Sequence, residues 1–156
     1  RRGGKEDMRL RAGQVLRSAI DSVQRINANA KIVLMGDFND DPTNKSIKKE
    51  LRGGDVKKLE EGDLYNTSYS TFKKGYGTLM YRGLWNLFDQ IIISQSLLAD
   101  KSSTYHYADE SFQVFAPEWL RVKDGDYKGA PFRTFVSGVY YGGFSDHYPT
   151  FIVIAQ

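Results

Sequence analysis

A helical stripe followed almost at once by an unbroken apolar strand constrains this chain most. Ala12, Val15, Leu16, Ala19, Ile20, Val23 and Ile26 keep the i, i+3, i+4, i+7 spacing of one helix face, which predicts a helix over residues 6–28. Arg11, Gln14, Ser18, Asp21 and Arg25 fall mostly on the other face, and Asn27-Ala28-Asn29 ends the pattern. Lys31 to Met35 then reads as a strand without polar alternation, which predicts burial on both faces in a parallel or mixed sheet. A helix that leads into a buried strand is the second half of a βαβ unit. The first strand has no room before residue 6, so the chain is expected to begin inside a domain.

Downstream the pattern turns β-rich. Gly36-Asp37-Phe38-Asn39-Asp40-Asp41-Pro42-Thr43 is loop chemistry, with Asp41 or Thr43 as a cap for a short helix through Leu51. Residues 52–74 read as a polar surface connection with short helical pieces. Strands are expected over 77–84, 87–94, 105–107, 112–115, 133–141 and 150–155, with a short helix at 96–100 and a turn-rich stretch at 118–129. The expected class is α/β in one domain over residues 1–156.

Composition narrows the chemistry. With no cysteine, disulfides, thiolate metal sites and cysteine nucleophiles are excluded; with two histidines, so is a three-histidine zinc site. A net charge of +3 is that of an ordinary solvated surface rather than of a dedicated DNA-binding module. No apolar run is long enough to span a membrane. Localisation is left open.

Three short motifs can carry chemistry. Gly36-Asp37-Phe38-Asn39 follows a strand, where ligands of α/β sheets bind; Asp can hold a metal or accept a proton, and Asn can donate to a phosphate oxygen. The alternative is a turn in which both side chains satisfy the backbone. Asp37, Asn39 and Asp41 imitate the first three ligands of a calcium loop, but Pro42 stands where glycine is needed and Lys48 where glutamate is needed. In Trp85-Asn86-Leu87-Phe88-Asp89-Gln90-Ile91, Asp89 opens an apolar strand and must be paired, with an arginine, a backbone amide or a histidine that it orients. In Gly142-Gly143-Phe144-Ser145-Asp146-His147-Tyr148-Pro149, an acid and a base stand side by side before the last strand. Ser145 is not a triad serine, since adjacent residues rarely face one another and no nucleophile elbow is present. His106, among tyrosines on a short strand, reads as structural.

Together and in this order, the three motifs resemble the signatures of the endonuclease/exonuclease/phosphatase (DNase I-like) superfamily, and most closely its bacterial members. The resemblance implies a four-layer α/β/β/α sandwich, of which this chain is the C-terminal half with the N-terminal half absent. It also implies a phosphodiesterase, nuclease or phosphatase that uses Mg2+ or Mn2+. It implies that His147 is the catalytic histidine, that Asp89 orients it, that Asp37 and Asn39 align water and contact the phosphate, and that Asp37 and Asp146 supply negative charge near the metal. The family's principal metal ligand, a glutamate of the N-terminal half, has no counterpart here. The chain alone is therefore expected to bind metal poorly, to hydrolyse little, and to pair with its missing half or self-associate through an exposed sheet. Nucleic acid, a phospholipid head group and a small phosphate ester all remain as substrates. A non-catalytic domain that keeps the fold for binding is the rival reading.

Overall fold

The computed structural model describes residues 5–98 and 105–156. Helix α1 spans Glu6–Ile26, with Glu6 and Asp7 in its first turn and Arg25 in its last, charges that suit the helix dipole. It leads to strand β1, Val33–Asp37. The expected short helix is a single π-helical turn, Ser46–Glu50, preceded by Lys45 rather than capped by Asp41 or Thr43. Asp41 is engaged elsewhere: its carboxylate accepts from Leu87 N at 2.7 Å and Asn86 Nδ2 at 3.0 Å.

Strands β2 (Gly53–Gly54) and β3 (Leu64–Asn66) follow, then helix α2, Tyr69–Lys73. This corrects the expectation of a surface connection over 52–74. Residues 64–68 are all buried, although three of them, Asn66, Thr67 and Ser68, are polar. Each of the three makes a side-chain hydrogen bond, which removes the cost of taking it out of water.

The apolar run at 77–84 is a hairpin rather than one strand. Strands β4 (Leu79–Tyr81) and β5 (Leu84–Asn86) meet at Arg82-Gly83, both with positive φ, as a tight two-residue turn demands. Strand β6 is Asp89–Ser94. The remaining strands are short: β7 (His106–Tyr107), β8 (Gln113–Val114), β9 (Phe135–Val136), β10 (Val139–Tyr140), β11 (Thr150–Phe151) and β12 (Ile154–Ala155). The expected strand at 133–141 is thus the β9–β10 hairpin, turned at Ser137-Gly138. Of the expected helix at 96–100, a 3-10 turn covers Gln95–Leu97, and residues 99–100 lie outside those described.

The main sheet has the order β1-β6-β3-β2, antiparallel except for the β2–β3 pair. Alternation along β6 divides the core in two. Ile92 joins Ile20 of α1, Ile47, Leu51 and Leu64 on one face. Ile91 and Ile93 join Tyr65, Leu87, Leu97, Tyr107 and Phe112 on the other. Helix α1 docks at backbone contact: a Cβ on Gly13 would sit 2.7 Å from Ser46 O. The docked line is Gly13, Leu16 and Ile20. The apolar stripe is wider than that line, so Val15, Val23 and Ile26 are exposed.

Strand β1 departs most from expectation. It is an edge strand, with Val33 exposed and Met35 at 76% exposure, not a strand buried on both faces. Leu34, on the helix side, is partly covered and packs against that core. Val33 and Met35 stand opposite Ile93 and Ile91, but Tyr107 and Phe112 cover the β6 residues and leave the β1 pair open.

Candidate active site

The ends of β1 and β6 place the first two acids. Antiparallel register sets Asp37 directly opposite Asp89, so their side chains leave the same face of the sheet. The partner of Asp89 is a histidine: His147 Nδ1 lies 2.7 Å from Asp89 Oδ2. The same oxygen accepts from Thr78 Oγ1 at 2.5 Å, so the carboxylate is an acceptor on both sides and the imidazole carries its proton on Nδ1. Nε2 is then the atom left for proton transfer.

The loop that carries His147 is held from several sides. Tyr148 N donates to Thr78 O at 2.8 Å, so Thr78 fixes both the acid and the residue after the base. Tyr148 is buried, its ring stacks on Trp85 with centroids 6.2 Å apart, and its hydroxyl donates to Gly129 O at 2.8 Å. Phe144 N donates to Phe132 O at 2.8 Å. Gly143 passes so close to the 132–133 backbone that a Cβ would lie 2.2 Å from Phe132 O, so no other residue fits. Ser145 Oγ accepts from the His147 amide at 3.2 Å, which is a turn contact and not a contact to the ring.

The pairing with Asp89 raises the His147 pKa above its ordinary 6.5, first through the hydrogen bond and then through charge; burial opposes it, and Asp146 and Asp37 add to the rise. Both carboxylates therefore act on the imidazole, Asp146 from the exposed residue beside it and Asp37 from β1. Asn39 takes a left-handed conformation, φ 53°, and its amide donates to Asp37 Oδ1 at 2.8 Å. This local turn swings the chain back over the strand end. The side chains of Asp89 and His147 are about one-fifth exposed. The pair is reachable from solvent without being fully solvated.

The arrangement offers a base held in one tautomer, a second carboxylate opposite, and an amide on the adjoining loop. Among the described residues no group of three or more His, Cys, Asp or Glu side chains converges as metal ligands do. Asp37 and Asp146 alone do not fit a divalent cation, which takes six or more oxygen ligands.

Thr78 is the site residue that sequence reasoning missed. It lies within a stretch read as one strand, and nothing local marks a threonine that bonds an acid 11 positions away. Two nearby arginines are held by main-chain oxygens: Arg121 donates to Ala116 O and Arg133 to Met80 O. Arg133 and Met80 also line a mostly apolar cavity of about 320 Å³ with Val122, Ala130, Phe132 and Tyr141.

A model of the endonuclease/exonuclease/phosphatase family matches residues 1–156. The chain belongs to this family of phosphoester hydrolases. The crystal structure of an endonuclease/exonuclease/phosphatase family protein from Bacteroides thetaiotaomicron superposes with a TM-score of 0.53 at 17% identity, over 98% of this chain and 46% of that one. The chain thus spans less than half the length of that protein. At this identity the likeness is one of fold, and it gives the α/β architecture as DNase I-like. No curated protein matches the chain.

Proposed function

We propose that a protein carrying this chain hydrolyses phosphoesters by attack of water on phosphorus, with His147 as the proton-transfer group. The observation that supports this most is the 2.7 Å pair of His147 Nδ1 with Asp89, itself held by Thr78. In this reading neutral His147 takes a proton from water at Nε2 as the new P–O bond forms. The ester P–O bond breaks, and the proton passes to the departing alcohol. Asp89 fixes the tautomer and steadies the imidazolium. Asn39 donates to a phosphate oxygen, and Asp37 orients the water.

Dependence on magnesium or manganese belongs to the same proposal. Asp37 and Asp146 are the carboxylates this chain would offer such an ion. They fall short of a complete site, and the further ligands are expected outside the described residues. The rival is a domain that keeps the fold for binding, and it draws on the same shortfall of ligands.

The test is hydrolysis of bis(p-nitrophenyl) phosphate and p-nitrophenyl phosphate by the intact protein, with magnesium, with a chelator, and with His147→Ala. Turnover is expected to stop on chelation and to fall about 100- to 10,000-fold in the variant. The preferred ester separates diesterase from monoesterase. Turnover indifferent to both changes would sink the proposal, and a folded protein inert on every ester would favour binding alone.

A further inference from the structure

Behind the Asp37–Asn39 loop runs a chain of buried polar side chains that the proposed chemistry does not use. Asn66 ends β3, Ser68 precedes α2, Gln90 is the second residue of β6, and all three are fully buried. Ser68 donates from both N and Oγ to Asn66 Oδ1. Asn66 Nδ2 donates to Gln90 Oε1 at 2.7 Å, and Gln90 Nε2 donates to the main-chain oxygen of Asp40 at 2.5 Å. The Asp40 carboxylate, itself 3% exposed, accepts from Ser46 Oγ and Asn44 Nδ2 and pairs with Arg9 of α1 at 2.8 Å. Two primary amides and a carboxylate in a protein interior are costly, and an apolar core would pack there without that cost.

The loop that this chain meets at Asp40 is held at three points. Phe38 N is held by Phe88 O at 2.9 Å. Asp40 O is held by Gln90. Asp41 is held by Leu87 and Asn86. Asn39 sits between these anchors, with its strained positive φ. Gln90 and Asp89 are neighbours on β6 and so leave opposite faces of the sheet. One face presents the acid that holds the base, and the other presents the amide that holds the loop.

We infer that Gln90 is a positioning residue for Asp37 and Asn39, with Asn66 fixing the direction in which its amide points. Oε1 of Gln90 is occupied as an acceptor by Asn66, so its NH2 can only face Asp40 O. The inference deepens the hydrolytic reading and rests on it for the effect on rate, but not for the effect on the loop.

The experiment uses Gln90→Met in the intact protein, close in volume and without the donor. Amide hydrogen exchange is read at Phe38 and Asn39 against the β3–β6 ladder. Turnover of bis(p-nitrophenyl) phosphate is read at a temperature where thermal melting shows the variant folded. Exchange at Phe38 and Asn39 is expected to speed up at least about 10-fold while the ladder keeps its protection. The kcat is expected to fall about 10- to 100-fold, the cost of misplacing groups by an ångström or less. A purely structural glutamine would lower the melting temperature and leave kcat of the folded enzyme alone. Loop amides as protected as in the wild type, or an unchanged kcat, would overturn the inference. If the wild type hydrolyses nothing, the hydrolytic reading fails, and exchange at Phe38 and Asn39 still decides whether Gln90 holds the loop.

Discussion

Strands β1 and β6 are paired residue for residue, and each ends at one of the two opposed acids, yet they live in different surroundings. From Gln90 to Ser94, β6 is buried throughout, while β1 has one partly covered residue in five. Both are apolar in sequence. An apolar run therefore states a demand for cover on two faces, and the fold decides how much of it is met. Helix α1 covers the Leu34 and Ile92 side of both strands. On the other side Tyr107 and Phe112 reach β6 but not β1. The site straddles this boundary, with the acid that holds its base on the well-packed strand and its second acid on the open one.

The sharpest break of that comparison is in stability. Ile92→Ala, at a fully buried position, is expected to cost about 2–5 kcal/mol in urea unfolding. Arg9→Met comes next. It strands the buried Asp40 carboxylate, and because Arg9 keeps about 29% side-chain exposure the loss is set at about 2 kcal/mol. Asp89→Asn acts on chemistry more than on folding. Turnover is expected to drop about 100-fold, since the amide no longer enforces the Nδ1–H tautomer. The smallest effect belongs to the open strand: Met35→Gln should change stability by less than about 0.5 kcal/mol. A loss there as large as that of Ile92→Ala would mean that β1 is covered in solution.

The same comparison has a pH signature. Asp89 raises the His147 pKa above 6.5, so the pair stabilises the fold fully below that ordinary value. The contribution is lost as pH rises through the folded-state pKa. The stability gap between the wild type and Asp89→Asn should therefore close as urea curves are taken from acid to alkaline pH. An NMR titration should put the His147 midpoint lower in the variant. Turnover should rise with pH through the wild-type midpoint, because the base must be neutral. A midpoint that does not respond to Asp89→Asn would remove the pair from the mechanism.

Much of this was legible in the residues. The α1 stripe, the Ile91-Ile92-Ile93 core of β6 and the three motifs could be read directly, because period, branching and short polar signatures are local. Strand β3 was not legible. Asn66 and the Thr67 and Ser68 that follow it read as surface, and their burial follows from Gln90 and the Ile91 carbonyl, about 24 positions away. Thr78 was hidden for the same reason. The cover on β1 could not be read at all, since nothing in Val33 or Met35 says how far a second layer extends. The acids and the histidine were named from motifs, but which partner Asp89 takes needed the fold.

His147 and Asp89 are 58 positions apart, and Asp37 lies as far again on the other side of Asp89 in rough terms of loop closure. No fragment of secondary structure contains two members of the site. Helix α1 can form early and locally, but the acid pair waits for β1 to find β6, and the base waits for the 142–148 loop to reach β4. The site is thus completed only by contacts distant in sequence, and the loss of any one of them would take it apart. A half-folded molecule would carry most of its helix and none of the assembled Asp37–Asp89–His147 site.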